Sequence, residues 1–431
     1  MTRREKVPAA LVLAIVAFCL DDLVLQREFE VFREWEALVL SLRWMLLLCL
    51  SLWCSAFIFL KFNFRDFLLI GFLFLALARC LISTQPFLNG ITLLFGITLG
   101  KGAHFSLLDV GGWKLGVGDD NSKSATRKSA IVIFLTGLVV LLAFGFWWHL
   151  DMSDNFYHGP RWMGLWNNPN TYGTLMGSGC VLAVGLREKM KTEVERGKKL
   201  LTIILGFSAI MFGVGLVMSY SRGAWLGTAI GLFYLAWNSG HFKWRYVYPF
   251  VALILVATFL LWGRTPDSAP WFIKRADLGR PSAQHRVAAW RAGFEIMRDH
   301  PFGVGWNNSI QIYQDHYNPP EDGAAAIATS DYLIIGTELG IPALLCFVAY
   351  AVLCLRGKPK NATEEGRIQA TCRAGAIVFL FAFWFDGGFF KLPTAAMFWV
   401  LLELGSQVAK PFCPNQPAGS TSSAETRGPT S

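Results

Sequence analysis

Three arginines stand where a cation could grip a phosphate group. A guanidinium presents parallel N–H donors that match phosphate oxygens two at a time. Arg161 opens the segment Arg161-Trp-Met-Gly164-Leu-Trp-Asn-Asn168-Pro169-Asn170-Thr-Tyr172-Gly173. Arg222 lies in Ser219-Tyr-Ser221-Arg222-Gly223-Ala-Trp225, a polar interruption of only a few residues between two apolar runs. Arg286 lies in His285-Arg286-Val-Ala-Ala-Trp290-Arg291. Helical spacing over roughly 283–298 puts Arg286 and Trp290 on one face and Arg291, Glu295 and Arg298 on the next. A pyrophosphate, with its high negative charge, is the ligand such a set suits. Each residue also has a plainer reading. Asn170 caps the helix that follows it, Arg222 snorkels to lipid phosphates, and the loop arginines form a solvated face.

Acids and histidines supply candidates for proton transfer. Ala328-Thr329-Ser330-Asp331-Tyr332-Leu333-Ile-Ile-Gly336-Thr-Glu338-Leu-Gly340-Ile341-Pro342 carries two carboxylates about two helical turns apart. Thr329 or Ser330 is placed to be the N-cap, and Asp331 is then a first-turn acid favoured by the helix dipole. Glu338 lies deeper, where a buried arginine is its expected partner. His316, in Asp315-His316-Tyr317, and His158, near Arg161, are the histidines of interest. A carboxylate base needs a poorly solvated site to raise its pKa.

The elements that hold these residues are apolar. The chain has 431 residues, 54% of them hydrophobic and only 16% charged, with mean hydropathy +0.41. A soluble chain carries about a quarter charged residues. Candidate spans run roughly over 7–20, 37–60, 66–83, 86–100, 130–148, 171–186, 200–218, 223–237, 246–262, 329–355, 371–385 and 393–407. The expected fold is all-α transmembrane, with about 10 to 12 helices and a long, partly helical extracytoplasmic loop over about 263–328. The membrane domain covers about 1–407, and a Pro-, Ser-, Thr- and Gly-rich tail over about 408–431 reads as cytoplasmic disorder.

Charge placement orients the spans. The net charge is +9, but the basic residues are spread through short loops, which argues against nucleic acid and for membrane topology. Alternate threading gathers Arg3-Arg4, the 101–129 loop, the 187–199 loop and the 356–367 loop on one side, the cytoplasm. Both termini fall on that side. The Arg161, Arg222 and Arg286 segments fall outside, and their guanidinium groups are expected in one outward-facing cavity. The N-terminal run reads as a retained first span. The nine cysteines lie mostly in apolar runs, with no C-x-x-C spacing, and read as packing residues.

Taken together, these segments resemble the O-antigen ligase and O-antigen polymerase superfamily of polytopic bacterial membrane glycosyltransferases. The likeness rests on Arg161…Gly164…Asn168-Pro169-Asn170, Ser221-Arg222-Gly223, Arg286-x-x-x-Trp290, His300-Pro301-x-Gly303-x-Gly305 and Asp331-Tyr332-Leu333…Glu338-x-Gly340, within about residues 130–400. The resemblance implies a polyprenyl-pyrophosphate-linked glycan donor used outside the bacterial cytoplasmic (inner) membrane. The implied acceptor is a hydroxyl on lipid A core, another glycan or a protein. Arg161, Arg222 and Arg286 would neutralise the pyrophosphate leaving group, with Asn170, Trp290 and Glu338 in support, and neither a metal nor another cofactor is implied. The family's histidine at the start of the span after the long loop is replaced here by Thr329. Neither Thr329 nor Ser330 can serve as a base near neutral pH. Asp331 and His316 are the substitutes, with His158 a third. Two other functions stay open, a solute transporter and a non-catalytic partner in envelope polysaccharide assembly. The lack of an internal repeat weighs against the transporter.

Overall fold

A computed structural model describes residues 64–79, 87–105, parts of 127–142, 161–163, 168–190, 196–238, 281–317, 328, 330–357, 363–385 and 388–406. Among these, 87% are helical and none is in a strand, so the fold is all-α. The spans expected at 7–20, 37–60 and 246–262 lie outside the described residues, as do His158, Thr329 and the tail after 406.

The helices are α1 (Phe64–Arg79), α2 (Phe87–Phe105), α3 (Pro169–Met190), α4 (Arg196–Met218), α5 (Arg222–Asn238), α6 (Pro281–Asp299), α7 (Ser309–His316), α8 (Asp331–Ile334), α9 (Ile341–Leu355), α10 (Glu364–Ala382) and α11 (Leu392–Gly405). Pairs α3/α4, α2/α11, α5/α10, α3/α10 and α1/α9 pack along one another. The core they share includes Tyr172, Phe212, Phe347, Phe383, Phe389, Phe398 and Trp399.

Two described helical stretches, Lys199–Met218 and Glu365–Phe385, are long and apolar enough to cross a membrane; Ile341–Leu355 and Leu392–Gly405 are apolar but shorter. The expected 10 to 12 spans are therefore not established by length and composition. The surface chemistry adds to this. Ile203, Phe207, Ile210, Val214 and Val217 recur along one face of α4, and Phe207 is 64% exposed. α1 shows Phe67, Ile70, Phe74 and Leu77 in the same way. Stripes of large apolar side chains at helical spacing are poorly suited to water and well suited to lipid.

The stretch expected as one span over 329–355 is broken. α8 gives way to a π-helical turn, Ile335–Leu339, and then to Gly340 at φ 98° and ψ 164° before α9 begins. That backbone conformation is open essentially only to glycine. Pro342 follows in the first turn of α9, where its missing N–H costs nothing. The preceding loop fills the break. Val304 N–H donates to Thr337 O at 2.9 Å, Gly305 N–H to Glu338 O at 3.0 Å and Ile341 N–H to Pro301 O at 2.9 Å. The His300-Pro301-x-Gly303-x-Gly305 segment is thus a main-chain dock for the broken helix.

One end of the bundle is closed by buried charge. Lys101 contacts Asp66 at 2.5 Å and Glu403 at 2.8 Å, and Arg65 lies 3.6 Å from Glu403. The Tyr350 hydroxyl donates to Glu403. Arg127 Nε donates to Leu404 O at 2.8 Å and Nη1 contacts Glu365 at 2.6 Å. Arg373 donates to Gly405 O and Gly357 O. Cations here satisfy carbonyls at the ends of α9 and α11. The pairs tie α1, α2, α9 and α11 together at the end where α10 starts.

Candidate functional site

The opposite end gathers the segments singled out by their chemistry. Asn168, not Asn170, caps α3. Its Oδ1 accepts from Asn170 N–H at 2.8 Å and Thr171 N–H at 3.2 Å, with Pro169 as the first helical residue. Proline fits that first position, which moves the cap one residue ahead of it and frees the Asn170 side chain. Asn170 Oδ1 accepts instead from Arg161 Nη2 at 3.3 Å.

Arg161 is fixed to the turn between α4 and α5. Its Nε donates to Ser219 O at 3.0 Å, and Trp162 N–H donates to Met218 O at 2.9 Å. That turn is tight, with Tyr220 at φ 51°. Ser219 Oγ donates to Leu216 O at 2.6 Å and accepts from Ser221 N–H at 3.2 Å. Ser221 Oγ accepts from Ala224 N–H at 3.4 Å, which makes it the cap of α5 and Arg222 the first residue of that helix. A guanidinium at the positive end of a helix is unfavourable by itself, yet the same helix end attracts anions. The two together suit a phosphate.

The first turn of α5 meets the 3₁₀ turn Phe383–Phe385 that ends α10. A Cβ added to Gly223 would come within 2.6 Å of the Phe385 side chain, so only glycine allows this approach. The Arg286 guanidinium lies over the other partner of that contact, 5.8 Å from the centre of the Phe385 ring. Phe385 is therefore the common neighbour of α6 and the α5 start. One turn along α6, Trp290 meets Trp384 edge-on at 5.9 Å, and Trp384 meets Tyr332 at 5.0 Å.

Asp331 is buried at the start of α8. Its Oδ1 accepts from Phe389 N–H at 3.1 Å, in the loop that follows the 3₁₀ turn. Ser330 holds the N-cap position, but its hydroxyl makes no capping bond. The position agrees with the expected cap, but the side-chain bond does not form. Ser330 Oγ and Thr171 Oγ1 are buried and have no hydrogen-bond partner among the described residues.

Among the described residues, no arginine pairs with Glu338. Its Oε1 accepts from the Ser309 hydroxyl at 2.7 Å, and the backbone N–H groups of Asn307 and Ser309 also donate to this carboxylate. Glu338 therefore closes the N-terminus of α7 from outside, where Asn308 makes no side-chain cap. The π turn aims the carboxylate at the loop rather than into the bundle. His316 is exposed on the last turn of α7 and makes no hydrogen bond or ion pair among the described residues.

The structure thus links the Arg161 and Arg222 segments through the Ser219–Ser221 turn, the Arg222 and Arg286 segments through Phe385, and Asp331 to the Phe389 loop beside it. His316 stands apart. Sequence reasoning passed over Phe385, Trp384 and Ser309, and gave the cap to Asn170 instead of Asn168. The Trp384-Phe385 pair looked like the apolar end of a span, and Ser309 carried no local signal.

Residues 207–348 match the O-antigen ligase family. That match covers less than half of the chain. The match spans the α4–α5 turn, the long loop and the first half of α9. It contains Arg222, Arg286, Trp290, His316, Asp331 and Glu338 and leaves Arg161 and Asn170 outside. No curated protein matches the chain. The O-antigen ligase family implies a membrane glycosyltransferase of ligase or polymerase type, acting on lipid-linked glycans at the inner membrane.

Proposed function

We propose that the chain transfers a glycan from a polyprenyl-pyrophosphate donor to an acceptor hydroxyl on the outer side of the inner membrane. Arg222, Arg286 and Arg161 hold the pyrophosphate in an outward-facing cavity, each from a different segment of the chain. The acceptor oxygen attacks the anomeric carbon, the bond from that carbon to the pyrophosphate oxygen breaks, and polyprenyl pyrophosphate leaves. The acceptor proton passes to Asp331. Asn170 orients Arg161, and Glu338 holds the loop that carries Arg286.

The observation that carries this reading is the meeting of the α5 start and the Arg286 side chain on Phe385. The segments that carry Arg222 and Arg286, 64 residues apart in sequence, meet on one ring, and this supports a ligand shared between them. Asp331 is preferred over His316 because it is buried beside the 3₁₀ turn, whereas His316 is exposed at the far end of α7.

Transfer from a polyprenyl-pyrophosphate glycan, followed with purified Asp331→Asn and His316→Ala, tests the assignment. Asp331→Asn is expected to lower the rate at least about a hundredfold, in the range of a lost general base, while donor binding persists. His316→Ala is expected to stay within a few-fold of wild type. The reverse pattern would move the proton to His316 and remove Asp331 from the reaction.

A further inference from the structure

We propose that Trp384 and Trp290 form a shelf for the sugar ring attached directly to the donor pyrophosphate. The inference rests on the pyrophosphate site proposed above. α6 meets the end of α10 through two successive rungs. Arg286 lies over Phe385 at 5.8 Å, and Trp290 meets Trp384 edge-on at 5.9 Å. Arg286 and Trp290 are four residues apart on one helix, a rise of about 6 Å. That is on the order of one pyranose ring. A phosphate held at the first rung therefore puts the next unit of the donor at the second.

The second rung is shaped for such a unit. Trp384 is 41% exposed, whereas its chain neighbour Phe383 is fully buried, as are Phe389 and Phe398 packed on Phe383. Tyr332 backs Trp384 at 5.0 Å and is itself pinned by its hydroxyl, which donates to Leu380 O at 2.8 Å. A held, half-exposed indole offers an apolar face to the C–H face of a sugar, and aromatic rings dominate such contacts by area. A tryptophan of the membrane interface needs only lipid and water around it. Trp384 instead has a partner from the loop helix, one turn from the arginine.

The test is binding to the full-length protein in detergent, with two probes. One is polyprenyl pyrophosphate alone and the other is polyprenyl pyrophosphate bearing a single N-acetylhexosamine. Wild type is expected to bind the sugar-bearing probe about fivefold more tightly, the scale of one aromatic contact. Trp384→Ala is expected to erase that gain and leave binding of the bare lipid unchanged. Trp384→Leu, which keeps bulk but no ring, serves if the alanine variant does not fold. Arg222→Ala is expected to weaken both probes. Equal binding of the two probes by wild type, or a full sugar gain in the Trp384 variants, overturns the shelf and leaves the pyrophosphate site standing. Failure of wild type to bind even the bare lipid removes the underlying site.

Discussion

Glu338 Oε1 accepts the Ser309 hydroxyl at 2.7 Å, across 29 residues of sequence. The bond joins a π-helical turn of the bundle to the first residue of a loop helix. It fixes α7 and, through the same loop, the frame on which α6 carries Arg286 and Trp290. Hydrogen bonds to a buried carboxylate contribute about 1.5–3 kcal/mol. Glu338→Ala is expected to release α7 by about that amount, seen as faster hydrogen exchange over Ser309–His316, with transfer falling as the loop loosens. Glu338→Gln keeps an acceptor oxygen and is expected to retain most of the protection.

Gly340 breaks the helix in a conformation that side chains do not adopt, with φ 98°. An added Cβ would also lie 2.5 Å from the Phe302 carbonyl carbon. Strain of this kind costs about 1–3 kcal/mol before any overlap is counted. Gly340→Ala is expected to lower the melting temperature of the purified protein, and more than Ala343→Gly in the next helix does. Equal melting temperatures would mean that the break relaxes freely.

Glu403 sits between Lys101 and Arg65 at the other end of the bundle. Removing one member of a buried ionic group strands the rest and costs about 3–5 kcal/mol. Glu403→Ala is expected to show that loss in thermal unfolding. Lys101→Met combined with Glu403→Gln is expected to lose less than the sum of the single variants, because neither charge is left alone. Additive losses would show that the two residues do not act as a pair.

Asp299 lies outside the bundle, at the end of α6. The hydrogen bonds from Arg298 Nε and then from the Tyr317 hydroxyl, each at 3.0 Å, hold its pKa below the ordinary carboxylate range. A depressed pKa means that the folded state favours the charged form. The stabilisation is thus present above the unfolded-state pKa and is lost as pH falls through the lower folded value. The α6–α7 contact is expected to loosen on acidification below the ordinary aspartate range, and Asp299→Asn to remove that pH dependence. Carboxyl NMR or hydrogen exchange at Tyr317 as a function of pH reads it directly.

Several elements were legible because local chemistry fixed them. The Asn- and Pro-rich segment before residue 171 marked the entrance to α3, although the cap is Asn168 rather than the expected Asn170. The polar Ser219–Gly223 interruption marked the α4–α5 turn. Helical spacing over 283–298 matched α6, which runs Pro281–Asp299. What stayed hidden depends on partners far along the chain. The π turn forms where loop N–H groups meet the Thr337 and Glu338 carbonyls, and nothing in residues 335–339 announces that. Glu338 looked like the partner of a cation because depth alone was considered, not the donors the loop brings. Arg65 and Lys101 border expected spans, Asp66 begins one and Glu403 lies within another, and only the packing of α1, α2, α9 and α11 reveals them as one buried group. Phe385 had no polar atom to draw notice, yet both α5 and α6 rest on it.

The central claim is that Arg222 binds the pyrophosphate of a lipid-linked donor. The most direct test follows polyprenyl pyrophosphate released from a glycan donor by purified wild type, Arg222→Ala and Arg222→Lys. The account predicts release by wild type and a fall of about a hundredfold or more in Arg222→Ala, on the scale of one lost transition-state donor. Arg222→Lys is predicted to recover only part, because an ammonium keeps the charge but not the paired donors. Release by folded Arg222→Ala at the wild-type rate would contradict the claim and leave Arg222 as a residue that holds the α4–α5 turn at the membrane surface.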